Sequence, residues 1–164
     1  MYNFVIAIMS HQRPSGLCSK TLKYIYENVK KPTNLNINVF LSDDQQKIEY
    51  QNEFNKIWGN KYGKTINFIV SGNSYKEKVN NIHFHFPLGE NVFVIEDDII
   101  ELSKMHIVDN KKKYKKITEL DEFIKTGFKK CRENNNYLPK SSLHLLRSKL
   151  KPLPEIKKNF KPWI

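Results

Sequence analysis

The sequence predicts an α/β fold, an open and mainly parallel sheet with helices on both faces. Two observations carry this expectation. Over residues 3–98, short apolar runs of strand type alternate with segments of helical periodicity, in the order βαβαβαβ. The connections between them are a few residues long, so each helix serves as the crossover between two parallel strands.

Taken in order, the first strand is Asn3–Met9, and it stops at Ser10-His11-Gln12-Arg13-Pro14, where the proline prevents continuation. A helix follows, with Ser15 or Ser19 as its cap and Leu17, Thr21, Leu22, Ile25, Tyr26 and Val29 at helical spacing. Lys30-Lys31 suits its C-terminal end and Pro32 closes it. Ile37–Leu41 reads as the second strand, and Ser42-Asp43-Asp44 caps a helix from about Gln45 to Trp58 that Gly59-Asn60 should stop. Ile66–Val70 is the third strand. After the loop Ser71–Ser74, residues Tyr75–Phe86 read as a helix with Val79, Ile82 and Phe86 on one face. Pro87 and Gly89 punctuate the start of the fourth strand, whose β-branched and aromatic run Val92–Ile95 leads straight into Glu96-Asp97-Asp98.

The pattern changes after Asp98. Ile99–Leu102 and Met105–Val108 read as short strands or a strand and turn, and Asn110–Lys116 as a lysine-rich loop. A helix opens at Thr118, with Asp121 completing a variant capping box. Its apolar face is Leu120, Phe123, Ile124, Gly127, Phe128 and Cys131, and Asn134-Asn135-Asn136 ends it. Residues 137–164 contain four prolines and many lysines, with Ser142–Leu150 the one element-like stretch. The expected division is therefore a ligand-binding domain over residues 1–136 and a basic, proline-containing extension over 137–164.

Composition bounds the function. The 164 residues suit one domain, and 39% hydrophobic with 12% aromatic residues is enough for a core. No apolar run approaches the length of a membrane span, and Met1–Met9 reads as a strand rather than a leader. Cys18 and Cys131 are too few for a disulfide framework, which suits reduced thiols in an intracellular, cytoplasmic setting. A net charge of +11 points to a polyanionic partner, nucleic acid first, although a Lys-, Asn- and Ile-rich composition also follows from an AT-rich genome.

Three loops should meet at the carboxyl edge of the sheet, where open α/β sheets bind ligands. They carry Ser10–Arg13, Ser42–Asp44 and Glu96–Asp98. Arg13 can pair bidentately with phosphate, or be a surface turn residue. Asp43 or Asp44 can accept from ribose hydroxyls or a base N–H, or cap a helix. Three successive carboxylates would repel one another without a positive charge nearby. A divalent cation on Asp98, helped by Asp97 and bridged to a diphosphate, answers that need. The bland alternative is an acidic turn facing water. His11 has little to recommend it as a ligand, His83 and His85 are poorly spaced for a metal, and His106 and His144 read as surface residues. GxxxxGK[ST], GxGxxG and GxSxG are absent, and neither cysteine has a histidine beside it.

These residues, Ser10-x-x-Arg13-Pro14, Thr21-Leu22, Leu41-Ser42-Asp43-Asp44 with Tyr50, Gly72, Lys78-x-x-Asn81, Pro87-x-Gly89 and Val94-Ile95-Glu96-Asp97-Asp98-Ile99, resemble the nucleotide-binding, Rossmann-like half of a GT-A glycosyltransferase. The spacing from Lys78 and Asn81 to the acids is similar to the TET/JBP-associated group, which glucosylates hydroxymethylated DNA bases and occurs in phages, large viruses and trypanosomatids. The resemblance covers roughly residues 3–131. It implies a metal-dependent transfer of a sugar from a nucleotide-diphospho donor, most naturally a UDP-sugar, to a hydroxyl acceptor such as a modified DNA base. Ser10, Arg13, Asp43, Lys78, Asn81 and Asp97 would then bind the nucleotide sugar, and Glu96 and Asp98 would hold Mn2+ or Mg2+. The first acid of the motif is glutamate here, a departure from the D-x-D pattern. The strands that build the acceptor site in such enzymes have no evident counterpart after Asn134, so a truncated or catalytically incomplete member is also expected. No catalytic base is identified; Glu101 and Asp109 are the nearest acids after the motif. The other readings are a module that binds nucleotide sugar or nucleic acid without turnover, and a two-metal nucleotidyltransferase or nuclease.

Overall fold

The computed structural model describes residues 2–133 and, as backbone, 142–144. It has the expected α/β architecture. Strands β1 (Val5–Met9), β2 (Ile37–Leu41), β3 (Ile66–Val70) and β4 (Val92–Glu96) form a parallel sheet, joined by a short fifth strand at Ser142–His144, in the order β3-β2-β1-β4 and then that strand. Strand β1 pairs with β2 on one side (Ile8 opposite Val39) and with β4 on the other (Ile8 opposite Ile95). The order therefore reverses between β1 and β4, and a crevice opens beyond their carboxyl ends.

Burial follows strand position. Every residue of β1 and β2 is buried, whereas the outer strand β3 is partly exposed. Helices cover both faces. One face carries α1, built from Pro14–Gly16, a π-helical turn at Leu17–Leu22 and Lys23–Glu27. It also carries α2, built from Asp44–Phe54, a π turn at Asn55–Gly59 and Asn60–Tyr62. Helix α3 (Tyr75–His85) lies on the other face, and α4 (Leu120–Glu133) returns to the first. Leu17, Leu22, Ile25, Tyr50, Phe54, Leu120 and Ile124 pack on Ile6, Ile8, Val39, Phe93 and Ile95. Beneath α3, Ile82, Val79 and Phe86 meet Val5, Ala7, Phe40 and Val94.

Several local expectations are corrected. Helix α1 begins with Pro14 at its first turn, so neither Ser15 nor Ser19 caps it; Ser19 Oγ instead donates to the Ser15 carbonyl. Gly59 does not end α2. The helix widens into a π turn through Gly59 and runs on to Tyr62, whose ring stacks on Tyr26 with centroids 4.0 Å apart. Burial of that aromatic pair outweighs the poor helix propensity of one glycine. Asp121 does not reach back to Thr118. It is buried, accepts from Tyr2 Oη at 3.3 Å, and the Leu120 N–H is given to the Asn28 carbonyl at 2.7 Å.

The largest correction concerns residues 110–116, while Met105–Val108 is a strand as expected. The expected lysine-rich loop is one arm of an antiparallel hairpin of β5 (Ser103–Val108) and β6 (Lys111–Lys116). Asp109 and Asn110 both take positive φ, 53° and 58°, the two-residue turn whose twist matches a hairpin. The expected boundary near residue 136, and most of the expected extension, lie outside the described residues. Among the described residues no helix is long and apolar enough to cross a membrane.

Candidate functional site

The crevice at the ends of β1 and β4 holds a cleft of about 570 Å³, lined by Ser10, His11, Arg13, Lys78, Glu96, Asp97 and Asp98, with Asn73 and Tyr75 on the α3 side. Its floor is a chain of buried hydrogen bonds. The Arg13 N–H donates to Tyr50 Oη at 2.8 Å. Tyr50 Oη lies 2.6 Å from Ser10 Oγ, which in turn donates to Asp97 Oδ2. Because Ser10 gives its one proton to the carboxylate, the Tyr50 hydroxyl must donate to Ser10. The chain thus runs in one direction and ends on a carboxylate, so each bond polarises the next. Burial raises the Tyr50 pKa, which keeps it a donor.

Asp97 is only 1% exposed. Its Oδ1 lies 2.8 Å from Arg13 Nη2. That oxygen has no aligned hydrogen-bond donor, so the guanidinium meets it as a neighbouring charge rather than as a directed bond. The other arm of Arg13, Nη1, stands 3.6 Å from Asp98 Oδ2. Arg13 is half exposed and spans the two acids at the mouth of the cleft. The turn that carries them is pinned from behind. Thr21 Oγ1 donates to the Glu96 carbonyl and accepts from the Ile99 N–H, each at 2.9 Å.

Lys78 enters from α3, on the opposite face. It is 4% exposed, and its Nζ donates to the Ser10 carbonyl at 2.7 Å. Burial lowers its pKa, while the charges of Asp97 and Asp43 oppose that change. Helix α3 is held at this angle by a reciprocal capping box, Ser74 Oγ accepting from the Glu77 N–H and the Glu77 carboxylate from the Ser74 N–H. Tyr75, the first residue of α3, leaves its ring largely exposed at the rim.

Of the residues singled out in the sequence, Ser10, Arg13, Lys78, Glu96, Asp97 and Asp98 meet in the cleft. Asp43 and Asn81 do not line it. Asp43 is the N-cap of α2, accepting from the Gln46 N–H at 2.8 Å and from the Gln46 side chain at 3.2 Å. Asn81 donates to the Ser71 and Glu77 carbonyls, tying the loop after β3 to α3. His11 proves to be a lining residue, with Nδ1 2.9 Å from Ser42 Oγ. Its loop turns through Gln12 at φ 52°, whose N–H donates to Gln46 Oε1 at 3.2 Å.

The part played by Tyr50 is masked by its place on an apolar helix face. Only the serine 40 positions earlier reveals why that residue is a tyrosine. The Cys18 thiol is buried and its pKa is pushed up to about 12, which removes it as a nucleophile at neutral pH.

The cleft sets three carboxylates against two cationic side chains. A phosphate-bearing ligand alone would meet a surplus of negative charge. Among the described residues no three His, Cys, Asp or Glu side chains converge as a closed metal set. Glu96 and Asp98 with the oxygens of a bound phosphate are the partial, all-oxygen shell that a Mg2+-type cation takes. The donor chemistry therefore fits such a cation. Family models, curated proteins and solved structures give no match to this chain.

Proposed function

We propose that the cleft binds a nucleoside diphosphate sugar together with a divalent cation, and that the protein is a GT-A-like glycosyltransferase acting on a hydroxyl acceptor. The observation that carries this is the charge balance at the β1–β4 crevice: Arg13 and Lys78 alone do not offset Glu96, Asp97 and Asp98. A divalent cation reverses the sign and makes the site attractive to a diphosphate. The cation, when bound, would supply Lewis-acid stabilisation of the departing diphosphate.

The chain's own residues do the rest. Glu96 and Asp98 would hold the cation. Asp97 is committed to Ser10 and Arg13, so its work is to position the arginine at the mouth, where the guanidinium can turn from Asp98 to a phosphate oxygen. Lys78 fixes the Ser10 carbonyl and holds a positive charge beneath the diphosphate. Tyr75 offers an aromatic face on which a base can stack. In the alternative, donor binding without turnover, the same residues serve and no acceptor is consumed. The free state of Cys18 and Cys131 fits a reducing compartment, which supports placing the protein inside the cell.

Calorimetric titration of UDP-glucose, UDP, GDP and ADP, each with and without Mn2+, tests the reading. We expect Mn2+-dependent binding of a nucleoside diphosphate to wild type, weakened at least tenfold in Asp98→Ala. If none of these ligands binds wild type in either condition, the donor-site reading is wrong. Release of free UDP from UDP-glucose over hours then separates a transferase from a binding module.

A further inference from the structure

We infer that the β5–β6 hairpin is a docking surface for the phosphate backbone of double-stranded DNA, independent of the nucleotide cleft. The pairing register fixes which side chains share a face. Lys104 lies opposite Lys115, His106 opposite Lys113, and Val108 opposite Lys111, so four lysines and a histidine stand on one face. Met105 opposite Tyr114 and Ile107 opposite Lys112 fall on the other. Like charges so close on one ribbon destabilise it. Yet every residue of β6 is exposed, and among the described residues Lys104, Lys111, Lys113 and Lys115 have no acidic partner; only Lys116 pairs, with Glu101 at 3.4 Å.

The hairpin contributes no residue to either buried core beyond its base, where Leu102 and Ile117 are buried and bonded to each other. The Tyr24 hydroxyl clamps that base by donating to the Ile117 carbonyl at 2.8 Å. A rigidly based, projecting, two-stranded ribbon with one basic face suits the B-form major groove, which is wide enough to admit such a ribbon. The A-form major groove is too deep and narrow to do so. Single strands are held by bases stacked on aromatic rings, and the basic face offers none, because Tyr114 projects from the other one.

Fluorescence anisotropy with a 20-base-pair DNA duplex of arbitrary sequence, titrated from low to physiological salt, tests the surface. Wild type should bind, with log K falling linearly against log salt. The quadruple variant Lys104→Gln, Lys111→Gln, Lys113→Gln, Lys115→Gln should bind at least tenfold more weakly. Its salt slope should be smaller by roughly 3.6, since each of the four phosphate contacts contributes about 0.9. Lys112→Gln, on the opposite face, should reduce the slope by less than one contact's worth. Circular dichroism and the melting temperature report that the variants remain folded. Asp98→Ala should bind the duplex as wild type does, so failure here and failure of the donor site are separate results. The inference is overturned if wild type does not bind the duplex, or if the quadruple variant keeps the wild-type slope. Equal affinity for an RNA duplex or for anionic phosphatidylserine vesicles would also overturn it.

Discussion

Lysine does opposite work in two regions of this molecule. In the cleft a single lysine, Lys78, is buried, is bonded to a backbone carbonyl and lies within the field of Asp97 and Asp43. In the β5–β6 hairpin, six lysines stand in one short ribbon with one neighbouring aspartate, and all of β6 faces solvent. The first arrangement is specified bond by bond and tolerates little change. The second is specified only by charge and strand alternation. A small anionic ligand needs the former, whose geometry is fixed before binding, and a polyanion needs only the latter.

Stability measurements sharpen the contrast. The largest loss should come from Asp97→Ala, which strips the terminal acceptor from the Ser10–Tyr50 chain and leaves Arg13 without its nearest counter-charge. Urea unfolding should show a loss of about 3 kcal/mol, at the low end for a broken buried pair because Arg13 is half exposed. Tyr50→Phe keeps the ring but removes the hydroxyl that joins Arg13 to Ser10, and should cost about 2 kcal/mol by the same method. An unchanged urea midpoint in both variants would mean that the buried chain does not hold the cleft.

Lys78 has its own signature. Its pKa is lowered by burial, so the folded protein releases this proton before the unfolded chain does. Between the folded value and the unfolded value of about 10.4, the unfolded state binds more protons, and this group's contribution to stability therefore rises with pH. Lys78→Met should lose that rise, seen as a changing difference in stability from wild type across the alkaline range. A pH profile parallel to wild type would place the lysine in water instead.

The hairpin should respond weakly to single changes. Lys113→Ser should shift stability by no more than about 0.5 kcal/mol. Asn110→Gly, at φ 58°, should stabilise by a few tenths of a kcal/mol, since glycine takes that conformation without strain. A large loss from either, read by urea unfolding, would show that the ribbon is packed rather than free.

The same contrast governs what can be read from the sequence. The parallel sheet is legible because β1 is apolar throughout, β4 is apolar from Val92 to Ile95, β2 is interrupted only at Asn38, and the loops between elements are short. The meeting of Ser10, Arg13 and Glu96–Asp98 follows from strand direction alone. Lys78 is placed by resemblance, and its bond to the Ser10 carbonyl has no local signal, because 68 residues separate the partners. Asp43 shows local chemistry prevailing, since a carboxylate just before a helix finds the nearest backbone N–H first. The hairpin is hidden because lysine is a poor strand former and Asp109-Asn110 is a weaker turn signal than Asn-Gly. The continuation through Gly59 to Tyr62 is hidden because it depends on Tyr26, far away in the chain.

The most direct test of the division between specific cleft and basic ribbon is thermal unfolding with UDP and Mn2+. It should be run on wild type, Asp98→Ala and the quadruple hairpin variant. At ligand about a hundredfold above Kd, binding to the folded state alone adds about 2.7 kcal/mol, which raises Tm by roughly 5–10 °C for a chain of this size. Tm should rise in this way in wild type and in the hairpin variant, and the rise should be lost in Asp98→Ala. No rise in wild type, or a rise abolished by the hairpin substitutions, would contradict that division.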